Sequence, residues 1–128
     1  MILDTSALLA ILLCEPEAEV FASSIESAAE VRISAANYVE AAIYVDRNGD
    51  AARRAMLDTF LAEFSIRIEP VTAEQAHLAR QAFVLFGKSR HKASLNFGDC
   101  FSYALAKACR EPLLFKGGDF GYTDIEPA

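Results

Sequence analysis

The stretch MILDTSALLA (residues 1–10) decides the fold, because it changes from an apolar strand to a helix at a single acidic residue. Residues 1–4 predict a short buried strand that ends in Asp4, and the hydroxyls of Thr5 and Ser6 are suited to cap the helix that follows. A buried strand followed by a helix is the repeating unit of a sheet with parallel strands. The remainder of the chain repeats this unit.

The remaining sequence alternates between strand and helix patterns. Further strands are predicted at residues 31–34, 66–68 and 113–115, with a final edge strand at 123–125. Helices are predicted from Pro16 to Ala28, from a Ser34 cap to about Arg47 with Asn48–Gly49 as its end, from Asp50 to Phe64, from Thr72 to about Phe86, and from Gly98 to Cys109. Such alternation predicts an α/β fold whose mainly parallel sheet is covered by helices on both faces.

The size and composition are those of a single domain over residues 1–128. Hydrophobic residues make up 53% of the chain, which is enough to build one sizeable core. The net charge is −6, from 12 basic and 18 acidic side chains, so the protein has no overall positive field that would attract a polyanion. Any contact with nucleic acid is therefore expected to be local.

The cysteines and the N-terminal segment favour a protein of the reducing cytoplasm. Cys14, Cys100 and Cys109 are an odd number without CxxC spacing, which argues against a disulfide framework and against a zinc site. The apolar run 7–14 lacks the preceding positive charge of a signal peptide, since the first basic residue is Arg32. The run is also far shorter than the roughly 20 residues that span a bilayer, so no membrane segment is expected.

Four acidic residues lie just beyond the predicted strand ends, where ligands bind in open parallel sheets. Asp4 ends the first strand, Glu40 lies on the helix after the second, Asp99 opens a later helix, and Asp119 follows the strand at 113–115. Three of them have an ordinary explanation: Asp4 as a helix cap, Asp99 as a partner of the helix dipole and Asp119 as a turn residue. Glu40 has none, because a carboxylate among apolar neighbours is costly to bury without a partner. Together they predict one acidic crevice.

Several carboxylates in one crevice repel one another unless a cation is present. Oxygen ligands suit a hard divalent ion, so the sequence predicts a Mg²⁺ or Mn²⁺ site. Neither His77 nor His91 has a partner at zinc-ligand spacing. The chemistry expected of such a site is hydrolysis of a phosphodiester by an activated water. The hydroxyls of Thr5 and Ser6 are candidates to orient Asp4 or a bound water, and simple helix capping is an equal alternative.

Basic residues near the acids are candidates for RNA binding. The run at residues 88–92 contributes Lys88, Arg90 and Lys92 shortly before Asp99, and Lys116 follows the last buried strand. These cations are placed to hold a phosphate backbone beside the acids. The alternative, which is the more frequent one for such a run, is a solvated loop without a ligand.

Three segments and Glu40 on its helix, taken in order, resemble the motifs of the PIN-domain family over nearly the whole chain. The segments are ILDTSAL (residues 2–8), FGDC (97–100) with the helix through residue 107, and LLFKGGDF (113–120). The length matches the VapC toxin subgroup. The resemblance implies a three-layer α/β/α sandwich, a magnesium- or manganese-dependent endoribonuclease that acts as the toxin of a toxin–antitoxin pair, and inhibition by a VapB-type antitoxin.

Carried over residue by residue, the resemblance assigns the four acids named above to the family's acidic quartet, as metal ligands and catalytic groups. Ser6 matches the small hydroxyl residue that often supports the first aspartate. The fourth position of the quartet has two candidates. Asp119 matches it, and Asp124, five residues further on, is able to share or replace Asp119 there. Gly118 stands where related sequences often have a polar residue.

Two rival functions remain open at the level of sequence. A haloacid dehalogenase-like phosphatase also begins with a strand that ends in aspartate. That family has an Asp-x-Asp pattern at this position, and the segment Asp4-Thr5-Ser6 lacks its second acid. A PIN-like module that binds RNA or protein without cleaving is the non-enzymatic alternative. The presence of all four acids counts against it, and metal-dependent RNA cleavage by the purified chain would separate the two.

The helix predicted from Asp50 has a wider apolar stripe than one helix of a small domain needs. The stripe consists of Met56, Leu57, Phe60, Leu61 and Phe64. Exposed apolar surface usually marks an interface, so part of this stripe is expected to contact another chain. The resemblance implies two such chains, a second copy of the protein in a homodimer and an antitoxin segment. The net charge favours a basic inhibitor.

Overall fold

The computed structural model describes residues 1–48 and 51–128, and these form one parallel sheet flanked by helices. The strands are β1 (Ile2–Leu3), β2 (Arg32–Ser34), β3 (Arg67–Glu69) and β4 (Leu113–Leu114). The helices are α1 (Thr5–Leu12), α2 (Ala18–Ser27), α3 (Ala35–Asn48), α4 (Ala51–Glu63), α5 (Ala73–Phe86) and α6 (Phe97–Cys109), and a 3-10 helix covers Asp119–Tyr122. The predicted helix end at Asn48–Gly49 and the predicted start at Asp50 fall partly outside the described residues.

The four strands run in the order β3-β2-β1-β4, and each neighbouring pair is parallel. Ile2 of β1 is paired with Arg32 of β2 on one side and with Leu113 of β4 on the other. The chain therefore extends the sheet first to one side of β1 and then to the other. Strand order reverses beside β1, and in open α/β sheets the crevice at such a reversal is the usual ligand site.

Successive residues of each central strand face opposite sides of the sheet, and this separates the core into two layers. Ile2 and Leu113 pack into a cluster with buried residues of α5 and α6. Leu3 and Leu114 pack into a second cluster formed mainly with α1, α2, α3 and α4. Both faces of the sheet are thus covered by helices, which confirms the predicted α/β architecture of three layers.

The predicted edge strand at residues 123–125 is wrong. The hydroxyl of Thr123 donates to the Phe120 carbonyl (2.7 Å) and accepts from the Ile125 amide (3.2 Å), which holds this segment in a turn after the 3-10 helix. The C-terminal segment pairs with β4 slightly later, where the Leu113 amide donates to the Glu126 carbonyl (2.9 Å). Because the Thr123 hydroxyl holds residues 123–125 in a turn, the chain pairs with β4 only after this turn, at residues 126–128.

Most of the apolar stripe on α4 belongs to the protein's own core, which corrects the expectation of a broad exposed face. Leu57 and Leu61 are buried, and the half-buried rings of Phe60 and Phe64 lie 4.7 Å apart. Met56 is the exposed member of the stripe, with 45% of its surface accessible. The breadth of the stripe is explained by packing of α4 against the helices on its side of the sheet.

All three cysteines are free thiols, which confirms that the chain has no disulfide framework. Cys14 is exposed, Cys100 is buried and Cys109 is half-buried. Within residues 1–48 and 51–128, no helix has the length and apolarity needed to cross a membrane.

Candidate active site

A cavity of about 370 Å³ opens beyond the carboxyl end of β1, where the strand order reverses. Asp4, Glu40 and Asp99 line it, so three of the four predicted acids meet at one place. They arrive from the end of β1, from α3 and from the first turn of α6. Residues separated by 36 and 59 positions in the sequence are thus brought together by the parallel sheet and its crossovers.

Asp4 is held by hydroxyl and amide donors on both of its carboxylate oxygens. It is the N-cap of α1, and one oxygen accepts from the Ser6 amide (2.9 Å) and from the Ser6 hydroxyl. The other oxygen accepts from the hydroxyl of Ser102 on α6. Only 2% of Asp4 is exposed. Donation to a carboxylate stabilises its charged form, so these contacts offset the cost of burial.

Glu40 is oriented by Thr5, which corrects the prediction that Thr5 supports Asp4. The Thr5 hydroxyl donates to Oε2 of Glu40 (2.6 Å), and it accepts from the side-chain amide of Asn37 (3.1 Å). The same amide donates to the Gly98 carbonyl (3.0 Å). Asn37 is fully buried, so this chain of contacts ties α1, α3 and α6 together behind the Glu40 carboxylate.

Gly98 leaves room for the Glu40 carboxylate at the start of α6. A Cβ at this position would overlap both carboxylate oxygens of Glu40. By contrast, a Cβ at Gly121 would meet no atom within 4 Å. Close approach of a charged side chain to the backbone is therefore the reason for a glycine next to Asp99.

Asp99 lies in the first turn of α6 and forms a capping box with Asn96. Its amide donates to the Asn96 side chain (2.9 Å), and its carboxylate accepts from the Asn96 amide (2.8 Å). Burial raises the pKa of Asp99 to about 6, against the lowering effect of the Asn96 amide, and repulsion from Asp4, Glu40 and Asp119 adds to the rise. The other three predicted acids are therefore close enough to Asp99 to act on it electrostatically.

Asp119 and Asp124 occupy different positions relative to this cavity. Asp119 is exposed at the start of the 3-10 helix and does not line the cavity, although its charge contributes to the raised pKa of Asp99. Asp124 accepts from the Tyr103 hydroxyl (2.8 Å) and from the Lys107 ammonium (2.8 Å), and the contact with Lys107 is the main cause of its lowered pKa. Asp119 is thus the better-placed fourth acid.

The basic residues proposed for RNA binding lie outside the cavity lining. The Lys116 ammonium contacts Glu15 (2.6 Å) and Glu17 (3.1 Å), so its charge is engaged within the protein. Arg90 lies over the ring of Phe83 and Lys92 over that of Tyr122, while Lys88 is exposed in the same loop. Their role in RNA binding stays a prediction.

The donor set fits a hydrated, hard divalent cation. Over residues 1–48 and 51–128, no three His, Cys, Asp or Glu side chains form a ready-made metal cage. Mg²⁺ does not require one, because it keeps several waters and binds through a few carboxylates. Glu40 and Asp99 each have one carboxylate oxygen held by a donor, and in the described structure the other oxygen accepts no hydrogen bond. Those oxygens are available as ligands.

Four residues of this site were not predicted from the sequence: Ser102, Asn37, Asn96 and Gly98. Helical spacing identifies two of them, because Ser102 lies three residues after Asp99 and Asn37 three residues before Glu40, on the same helix faces. Asn96 has the sequence signature of a helix cap three residues before an acid. The role of Gly98 had no local signal, since it depends on a side chain from another helix.

Comparisons with known proteins show similarity over nearly the whole chain. A family model described as "PIN domain" matches residues 1–126. Ribonuclease VapC28 of Mycobacterium tuberculosis is 49% identical over all of this chain and 97% of its own length. The fold is similar to that of VapC20 of Mycobacterium tuberculosis, described as a sarcin-ricin loop cleaving toxin, with a TM-score of 0.79, 18% identity, and coverage of 99% of this chain and 97% of that one.

A second solved structure has the same fold. A chain of a toxin–antitoxin complex from Klebsiella pneumoniae gives a TM-score of 0.71 at 17% identity, with coverage of 96% of this chain and 92% of that one.

Proposed function

This chain belongs to the PIN-domain family, and from that membership we propose that it is an endoribonuclease of the VapC type that acts as the toxin of a toxin–antitoxin pair. The observation that carries the proposal is the convergence of Asp4, Glu40 and Asp99 on one cavity at the end of β1. Burial raises the pKa of Asp99, and repulsion from the other acids adds to the rise. Such a group of acids is suited to holding a divalent cation against a phosphodiester.

Asp4, Glu40 and Asp99 are the residues that would hold Mg²⁺ or Mn²⁺, with Asp119, whose charge acts on Asp99, as a fourth acid. When bound, a divalent cation supplies an activated water and stabilises the leaving oxygen of the phosphodiester. Ser6 holds the Asp4 carboxylate in one orientation. The other positioning groups are Ser102 on Asp4 and Thr5 on Glu40. These donors hold the carboxylates in fixed orientations before substrate arrives.

Cleavage of a labelled single-stranded RNA by the purified chain tests this proposal. We expect cleavage with Mg²⁺ or Mn²⁺, none with a chelator, and none by Asp99→Asn. RNA binding without cleavage under all metal conditions would favour the catalytically silent module. Hydrolysis of a phosphate monoester without cleavage of RNA would favour the acid-pocket phosphatase. Measuring Asp99→Asn beside the parent protein excludes a contaminating nuclease.

We also propose a VapB-type antitoxin as the protein partner, since the VapC relatives point to toxin–antitoxin pairs. The net charge of −6 and the acidic cavity favour a cationic segment, with an arginine or lysine that enters beside Asp4 and Asp99. Association should slow as salt rises, because salt screens the attraction. Rates independent of ionic strength would contradict the electrostatic part of the proposal.

A homodimer is the proposed state of the isolated protein. Its support is the exposed apolar surface along α5 and α6, where Phe97 is 78% and Phe83 is 40% accessible. Met56 on α4 contributes a further exposed apolar side chain. Light scattering at high protein concentration is expected to give twice the mass of the chain, and a monomer there would remove the dimer.

A further inference from the structure

One face of α3 forms a continuous wall of the acidic cavity. Its members are Glu40, Ile43, Tyr44, Arg47 and Asn48, which all line that cavity. They are spaced i, i+3, i+4, i+7 and i+8, the repeat that places side chains on one side of an α-helix. The wall therefore runs from a carboxylate, past two apolar side chains, to a guanidinium.

Arg47 is an exposed cation with no partner among the residues that the structure describes. Arg54 on α4 differs, because it contacts Asp46 at 3.7 Å. Arg47 lies seven positions after Glu40, which corresponds to about 10 Å along the helix axis. This spacing keeps the guanidinium apart from the acids while leaving it in the same cavity, where it is available to an anion.

Tyr44 and Ile43 occupy the interval between the two charged groups. Tyr44 is 41% and Ile43 52% exposed, although both face a cavity whose other end is acidic. The Tyr44 hydroxyl makes no hydrogen bond within the described part of the chain. An exposed ring next to a cation is the combination by which proteins hold single-stranded nucleic acid, through stacking of a base and contact with the backbone.

We propose that this wall is a nucleotide subsite, in which Tyr44 stacks on a base next to the scissile phosphodiester and Arg47 binds a neighbouring phosphate. The proposal rests on the proposed ribonuclease function and identifies the substrate as single-stranded at this position. In a single RNA strand, a base lies beside each phosphate. The order of groups along α3 matches this: the acids at the scissile phosphate, the Tyr44 ring at a base and the Arg47 guanidinium at the next phosphate. A protein segment has no such alternation, so RNA is the favoured occupant.

Binding of a short fluorescein-labelled single-stranded RNA to Asp99→Asn protein tests the subsite without cleavage. Adding Tyr44→Ala is expected to weaken binding about tenfold, the loss typical of one stacked base. Tyr44→Phe keeps the ring and is expected to bind as the Asp99→Asn parent does. Circular dichroism of each variant confirms that the helix is intact.

The salt dependence of binding distinguishes Arg47 from Tyr44. For a single strand, each neutralised phosphate contributes about 0.7 to the slope of log K against log salt concentration, so Arg47→Gln should lower the slope by about that amount. Arg54→Gln is the matched control, because Arg54 is exposed but does not line the cavity, and it should leave the slope unchanged. Tyr44→Ala should lower the affinity at every salt concentration and leave the slope as it was.

Parental affinity and slope in both Tyr44→Ala and Arg47→Gln would overturn the subsite. A change in dimer mass or in antitoxin affinity, with RNA binding unchanged, would overturn it in favour of a protein-binding surface. The proposed function fails separately, if the wild-type protein does not cleave RNA with Mg²⁺ or Mn²⁺. In that case the binding curves still decide whether the wall of α3 holds RNA.

Discussion

The N-terminal ends of α1 and α6 each bring an aspartate into the same cavity, but the two carboxylates are held in different ways. Asp4 is almost fully buried and accepts three hydrogen bonds, from the Ser6 amide and from the hydroxyls of Ser6 and Ser102. Asp99 accepts one, from the Asn96 amide, and its pKa rises to about 6. The Asp4 carboxylate thus has hydrogen-bond donors on both oxygens, whereas burial and, in addition, repulsion from the other acids act on Asp99.

This difference suggests that Asp4 has a structural role besides metal binding, whereas Asp99 has fewer structural contacts. The contacts of Asp4 make it a cap and a link between α1 and α6 as well as a candidate ligand. Asp99 has fewer contacts to lose, and neutralising it relieves repulsion from Asp4, Glu40 and Asp119. A divalent cation would therefore have its largest stabilising effect on the side of Asp99.

The largest expected effects come from removing either charge. Asp4→Asn and Asp99→Asn should each reduce RNA cleavage by more than about 100-fold, beyond the loss typical of residues that only support metal ligands. Their stabilities should differ. Asp4→Asn replaces an acceptor among buried donors and should cost about 1–3 kcal/mol, whereas Asp99→Asn should be neutral or stabilising in metal-free protein. Cleavage rates and urea unfolding measure both, and equal stability losses would contradict the comparison.

Gly98→Ala tests whether the backbone beside Asp99 must make room for Glu40. The added methyl would displace the Glu40 carboxylate, so we expect a loss of cleavage of about 10–100-fold, as for changes that misorient a metal ligand. Alanine favours a helix, so the protein should remain folded. Gly121→Ala is the matched control, because its Cβ meets nothing within 4 Å. Equal activity of the two variants would remove this role of Gly98.

A smaller effect is expected from the groups that support each aspartate. Ser102→Ala removes a buried donor to Asp4 and should lower cleavage about tenfold. Asn96→Ala removes the cap of α6 and should cost about 1 kcal/mol of stability. Its effect on cleavage should be weaker, because the backbone amide that holds Asp99 remains. If Asn96→Ala lost more activity than Ser102→Ala, the assignment of the two roles would be reversed.

The smallest effect is a pH dependence of stability in metal-free protein. The pKa of Asp99 is raised from 3.8 to about 6, so the folded state binds more protons than the unfolded state between these values. The contribution of Asp99 to stability therefore falls as pH rises from about 4 to about 6. Melting temperatures of the parent protein relative to Asp99→Asn should decline over this range. Saturating Mg²⁺ should cancel the decline, and parallel curves without metal would contradict the raised pKa.

The order of strands and helices could be predicted from the sequence, and so could the meeting of Asp4, Glu40 and Asp99 at one cavity. Short apolar runs such as 1–4 and 113–115 predicted strands because burial of a parallel strand on both faces leaves a local hydrophobic signature. Acids placed directly after these runs predicted a crevice, since parallel strands end at one edge of the sheet. The error at residues 123–125 arose because a local hydroxyl turn at Thr123 competes with strand pairing.

By itself, then, the sequence determined the order of strands and helices and showed which acids follow strand ends, because each of these features depends on residues near one another in the chain. Only the tertiary structure decided that Thr5 supports Glu40, that Ser102 supports Asp4 and that Gly98 makes room for a carboxylate. These contacts join residues 35 to 98 positions apart. Their partners are selected by the packing of α1, α3 and α6 around the end of β1, for which no local pattern exists.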